Sequence, residues 1–122
     1  RSLDARILSR LDAQCRTLAR AVARRRGLRV KVEAISQSQP VRCSKRVMQA
    51  VEAACDELGL RFRRMPSGAG HDAQNLASVT DSGMLFIPSR GGRSHRPDET
   101  SDWKAIERGG NALLHTLLTL AG

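Results

Sequence analysis

A chain of 122 residues is long enough for one small domain with its core and too short to hold two comfortably. Its net charge of +9 comes with only three aromatic residues, Phe62, Phe86 and Trp103, which excludes a base-stacking platform for single-stranded nucleic acid. No apolar run approaches the roughly 18 residues of a membrane span and no signal peptide is visible, so the sequence reads as neither membrane-spanning nor secreted.

The charge is uneven. Residues 1–33 carry ten Arg or Lys against Asp4, Asp12 and Glu33, so seven of the nine net charges lie there. Such a patch can attract nucleic acid or an acidic partner, but an Arg-rich solvated helix face accounts for it equally, and nucleic-acid binding is the disfavoured reading. Cys15, Cys43 and Cys55 are odd in number, lack CxxC spacing and are assigned to helical apolar faces. That usage fits a reduced, cytoplasmic protein and supplies no metal cluster.

In chain order, Leu3, Ile7, Leu11, Cys15, Leu18 and Val22 recur at steps of three and four, one stripe of an amphipathic helix. Ser2 or Asp4 can cap its start and Gly27 can end it in the left-handed conformation. Leu28, Val30, Val32 and Ala34 then alternate with Arg29, Lys31 and Glu33, the period of a half-buried strand. This helix and strand form half of a small α+β layer. The polar stretch 36–40, ending in Pro40, is the best linker in the chain.

Ser44 can cap a second helix carrying Val47, Met48, Val51, Ala54, Cys55 and Leu58, stopped by Gly59. A strand is expected at 60–65, with Leu60 and Phe62 inward, followed by the small-residue loop at 67–70 and a short helix near 72–77. Met84-Leu85-Phe86-Ile87 is a continuous apolar run bounded by turn residues, which reads as a strand buried on both faces. A final helix, capped by Ser101, runs over about 102–120, with Trp103, Ile106, Gly110, Leu113, Leu114 and Leu117 as its buried stripe. Gly109-Gly110 points to close packing against a neighbour, and His115 is structural or exposed. The order strand, glycine loop, helix, strand, loop, helix is a βαβ pattern. It implies an α/β fold with a parallel sheet, right-handed crossovers and ligands at the carboxyl ends of the strands.

Two loops can carry chemistry. In Ser67-Gly68-Ala69-Gly70-His71-Asp72 the small residues let backbone N–H groups approach a ligand, although a tight turn needing glycine dihedrals explains them as well. His71 and Asp72, adjacent and about 100° apart on a helix, would not ligate one metal together. One would orient a neighbour while the other caps the helix. Past 84–87, the loop at 89–99 contains His95, and a single polar-loop histidine is usually a surface residue.

Gly91-Gly92-Arg93-Ser94-His95-Arg96-Pro97-Asp98-Glu99 resembles the GG-x-SH-x-P-x-E loop of a family of zinc-dependent amidohydrolases. That family comprises allantoate amidohydrolases, N-carbamoyl-L-amino-acid hydrolases and β-ureidopropionases, a branch of the aminoacylase and carboxypeptidase-G type metallopeptidases. Pro66-Ser67-Gly68-Ala69-Gly70-His71-Asp72-Ala73 is similar to the family's SGAGHDA segment. The similarity runs along nearly the whole chain and covers about the last third of a family member, so a fragment is expected, in keeping with the absence of an initial methionine.

The resemblance implies that His95 ligates one ion of a two-metal site of Zn²⁺ or Mn²⁺. Glu99 would steady the loop or hold His95 from behind, and Ala69 and Gly70 would line the substrate site with His71 and Asp72 in support. Arg1 would grip a substrate carboxylate, as the arginine of the family's D-x-R strand end does; a guanidinium fork suits that task. Arg93 and Arg96 depart from the small or apolar residues of the pattern. Residues 1–38 correspond to the tail of a lid domain through which a homodimer forms, and residues 39–122 to the C-terminal part of the catalytic domain. The implied reaction is hydrolysis of C–N bonds in N-carbamoyl-amino acids, allantoate or related ureido carboxylates; the runner-up is an aminoacylase or peptidase of the same superfamily. The family's early H-x-D segment, bridging aspartate, Glu-Glu pair and further histidine do not occur in this sequence, so these 122 residues alone are expected to be inactive. A basic binding module and a non-catalytic dimerisation domain are the alternatives from other classes.

Overall fold

A computed structural model describes residues 2–36 and 38–122. Among them are four α-helices: α1 (Ala5–Arg25), α2 (Lys45–Glu57), α3 (Ala73–Leu76) and α4 (Trp103–Ala121), with a 3₁₀ turn at Arg90–Gly92.

The helix ends follow the local chemistry. Asp4 caps α1, its carboxylate accepting the Arg6 N–H at 2.8 Å, while the Ser2 hydroxyl accepts from Asp4 N–H. Gly27 at φ 66° and Gly59 at φ 62° close α1 and α2 in the left-handed region. Leu28 N–H returns to the Ala23 carbonyl and Leu60 N–H to that of Cys55, so both helices end in the paired Schellman pattern. One expected cap lacks its side-chain bond and another shifts by a residue. Ser44 occupies the N-cap of α2 without a side-chain cap bond, its backbone N–H donating instead to the Ser82 carbonyl at 2.9 Å. At α4 the cap is Asp102, which accepts from Lys104 N–H, and not Ser101.

The tertiary contact between helices is α2 against α4, and no other helix pair among the described residues packs together. Its buried residues are small: Ala50, Ala54 and Cys55 on α2, Ala112 and Thr116 on α4. Small side chains let two helix axes approach closely, and the one buried hydroxyl, Thr116 Oγ1, is satisfied by the Ala112 carbonyl at 2.7 Å. Gly109 belongs to the same face. A Cβ there would overlap Ile87 Cγ2, so the run at 84–87 lies directly on α4, whereas Gly110 has open space around it. Arg46 donates to the Leu120 carbonyl and His115 meets Glu57, tying the two helices at their flanks. The expectation of close packing therefore holds for Gly109.

The expected buried stripe of α4 does not hold. Trp103 is 83% exposed and Leu113, Leu114 and Leu117 are each at least half exposed, while Ala112 is 2% exposed. The helix presents two adjacent apolar faces, and packing selected the one of small residues because it allows closer approach. The stripe of α1 is likewise exposed at Leu3, Ile7, Leu11 and Leu18; its buried residue is Ala23. Cys43 precedes α2 instead of lying on a helix, Cys15 is exposed, and Cys55 is buried, which pushes its thiol pKa up.

Among the described residues no strand is formed at 28–34, 60–65 or 84–87, so the expected parallel sheet is absent from this structure. A strand is defined by the hydrogen-bond ladder to its neighbour, whereas alternation in sequence reports only which faces are apolar. Phe62 and Phe86, expected inward, are about half exposed. The segments are held from the side instead. Arg16, braced by Asp12, donates to the Val32 carbonyl at 3.0 Å, and Arg64 grips Glu52 of α2 through both carboxylate oxygens. That grip holds the Glu52 carboxyl below its ordinary pKa and raises Arg64. None of the described helices is long and apolar enough to cross a membrane.

Candidate functional site

The loop at 89–99 is braced by its own side chains. Gly91 and Gly92 turn the chain at φ 67° and 64°, and Arg90 N–H donates to the Thr100 carbonyl at 2.8 Å, closing the loop across its base. Ser89 Oγ donates to the Arg93 carbonyl, and Asp98 receives both Arg93 and Arg96, one on each carboxylate oxygen. Arg93 and Arg96 are thus a clamp on Asp98, a role that the sequence reading missed. The signal was the basic pair at 93 and 96 with an acid two residues on.

His95 stands at the crest with φ 57°, the one positive-φ residue among the described residues that is not glycine. The left-handed region costs an ordinary L-residue roughly 1–2 kcal/mol, so something must hold it there. Glu99 does. Its carboxylate accepts the backbone N–H of His95 at 2.7 Å, and the Glu99 N–H donates to the Arg96 carbonyl. The bond of Glu99 is to the backbone of His95 and not to its imidazole. The ring is exposed.

The loop at 67–72 is held by its own serine and by its neighbours. Ser67 Oγ donates to the Ala69 carbonyl at 2.8 Å, folding the small residues into a compact turn. Gly70 does not have a positive φ; its requirement is space, because a Cβ there would sit 3.1 Å from Gln74 Oε1. Gln74, on α3, donates in turn to the Gln39 carbonyl at 3.0 Å and so links this loop to the polar stretch at 36–40. The Ala73 N–H donates to Nδ1 of His71 at 3.1 Å. His71 therefore caps α3 with its ring, and Asp72, at the formal N-cap, makes no side-chain cap bond.

Arg1 lies outside the described residues. Ala69, Gly70, His71 and Asp72 share one loop, and His95 and Glu99 share the other; no hydrogen bond joins the two loops among the described residues. Two concave surfaces, of about 460 and 330 Å³, are lined by residues of α1 and of 28–30 and include none of these side chains. Among the described residues no three His, Cys, Asp or Glu side chains come together to hold a metal. Imidazole is a suitable donor for Zn²⁺ or Mn²⁺, but one histidine is one ligand, and the donors described here do not complete a site.

The family model for peptidase family M20/M25/M40 matches residues 6–119. The N-carbamoyl-L-amino acid amidohydrolase of Geobacillus stearothermophilus is 36% identical over 99% of this chain and 30% of its own length. The allantoate amidohydrolase of Escherichia coli K12 is 31% identical over 99% of this chain and 29% of its own length. Among solved structures, an amidase of the hydantoinase/carbamoylase family from Burkholderia multivorans is 36% identical with a TM-score of 0.89, covering 97% of this chain and 29% of that one. The chain thus spans about three tenths of the length of these relatives. A match this extensive, in sequence and in backbone, shows that the chain belongs to peptidase family M20/M25/M40.

Proposed function

We propose that this chain is the late portion of a metal-dependent amidohydrolase that cleaves C–N bonds in N-carbamoyl-amino acids, allantoate or related ureido carboxylates. The relatives' names supply the substrate class. The observation that carries the site is His95, held at φ 57° by the Glu99 carboxylate. Conformations that cost energy are kept where a side chain must be presented in one direction, and an exposed imidazole so presented suits a metal ligand. In this reading His95 contributes to a site for Zn²⁺ or Mn²⁺ whose other donors lie outside these 122 residues. The residues described here carry no catalytic step through the metal and would be inactive alone.

The same reading divides the chain. Residues 1–38 form the end of a lid domain, through which the protein dimerises, and 39–122 the end of the catalytic domain, with Gln39 at the junction. The segments at 28–34, 60–65 and 84–87 become strands when their ladder partners are present, the last two in a parallel sheet. Ala69 and Gly70 line the substrate site, and Arg1 receives the substrate carboxylate. A cytoplasmic location accords with the three free thiols.

The test is His95→Ala in the full-length protein. Bound metal should fall and hydrolysis of a carbamoyl or ureido substrate should drop by more than about a hundredfold, exceeding the 10- to 100-fold typical of residues that only support ligands. Full metal content with full turnover would sink the assignment.

A further inference from the structure

We propose that Asp98 is a positioning residue for the metal site: by clamping Arg93 and Arg96 it cancels charge that would otherwise oppose a cation on His95. The proposal rests on the reading of His95 as a metal ligand and adds to it a residue outside the motif.

In the pattern GG-x-SH-x-P-x-E the three open positions fall at 93, 96 and 98, and this chain fills them with Arg93, Arg96 and Asp98. The clamp is therefore made wholly of residues that the motif leaves free. One arginine stands two residues before the histidine and the other directly after it. Guanidiniums stay protonated, so two fixed positive charges flank a group that is to receive a divalent cation. Like charges this near oppose binding, the more so where the cation carries two. Small or apolar residues at 93 and 96 would carry no such cost.

Asp98 meets both arginines at once. One carboxylate oxygen receives Arg93, and the other receives Arg96 Nε at 3.0 Å. Arg93 is folded back along the loop, its Nε 3.7 Å from where a Cβ on Gly91 would stand. The span from 93 to 98 is thus closed at its ends, with His95 between them. Two arginines and one carboxylate leave a net charge of +1, which becomes +2 once the carboxylate is neutralised. Glu99, the other acid of the loop, is engaged on the His95 backbone N–H. All three clamp side chains are about half exposed, so their charge on a bound ion is open to screening by salt. A change of shape is not screened, and this separates the two ways in which Asp98 could act.

The test is the Zn²⁺ affinity of the metal-stripped full-length protein, measured by chelator competition at low and high ionic strength. At about 0.05 M salt Asp98→Asn should bind Zn²⁺ about tenfold more weakly than the parent, the lower end of the effect of residues that support ligands. At about 1 M salt, where the screening length falls to about 3 Å, the two should agree within about threefold. Adding Arg93→Gln and Arg96→Gln to Asp98→Asn should restore the low-salt affinity, because without the cations the carboxylate is not needed. A clamp that acted only as a cross-link predicts a deficit that salt leaves unchanged and that the triple variant keeps. Either of those results, or an unchanged low-salt affinity in Asp98→Asn, would overturn the proposal. His95→Ala separates this failure from that of the ligand assignment. If it retains Zn²⁺, the ligand reading fails and the clamp's role with it; if it loses Zn²⁺ while Asp98→Asn binds as the parent does, only the clamp's role fails.

Discussion

The two loops differ in what holds them. The loop at 89–99 is braced internally, by Asp98 between two arginines and by Glu99 on the backbone of its own histidine. The loop at 67–72 has one internal brace, Ser67 on Ala69, and otherwise leans on neighbours: on α3 through the ring of His71, on Gln39 through Gln74, and on α2 through the grip of Arg64 on Glu52 just upstream. A self-braced loop can hold a strained residue such as His95 because the stabilising groups move with it. An externally braced loop is sensitive to volume and to its neighbours' charge. Under the function proposed above, one loop would present a single metal ligand and the other would shape a surface for substrate.

The comparison can be broken most sharply at Glu99. Glu99→Gln keeps the size and removes the charge that holds His95 N–H, so metal affinity in the full-length protein should fall about 10- to 100-fold. Titration with Zn²⁺ or Mn²⁺ reads this directly, and an unchanged affinity would mean that the brace is not needed. Next in size is Gly70→Ala, which presses on Gln74 Oε1. Because the neighbour is the end of a flexible side chain, stability should change by less than about 1 kcal/mol, whereas KM should rise a few-fold. In a Gln74→Ala background the same change should have almost no effect, and a double-mutant cycle in KM measures that coupling.

The smallest effect concerns Glu52, whose pKa is lowered first by its hydrogen bond to Arg64 and less by the Coulomb attraction, against a desolvation cost in the other direction. A carboxylate with a depressed folded-state pKa adds stability above its unfolded pKa and loses it as the pH falls through the lower, folded one. The melting temperature of Glu52→Gln should therefore lie below that of the parent at neutral pH. The gap should close in acid, below the ordinary carboxylate range. The pair is exposed, so the gap should be small, and a gap that persists at low pH would assign the loss to packing instead of charge.

Much of the local structure was legible in the residues. Gly27 and Gly59 end their helices as expected because a left-handed residue after an amphipathic run favours glycine for a local, steric reason. Asp4 was one of two caps named for α1, and His95 and Glu99 were legible through the motif that they form. The clamp of Arg93 and Arg96 on Asp98 was not legible, because opposite charges a few residues apart in a loop pair only where the turn brings them together. The cap of α3 was expected from either His71 or Asp72, and only side-chain geometry separated the two.

What the sequence by itself determined are the features that depend on a few neighbouring residues: helix extents to within a residue or two, their ends and the positions of the loops. The tertiary structure decided which apolar face is buried. On α4 the stripe containing Trp103, Leu113 and Leu117 has the greater hydrophobicity, yet α2 packs on the face of Ala112 and Thr116. Periodicity measures how much a face would gain from burial, whereas closeness of approach and the presence of a partner determine whether it is buried. The same physics governs the segments at 28–34, 60–65 and 84–87. Their alternating or continuous apolar residues suit a sheet, but a strand exists only where a neighbour completes its ladder.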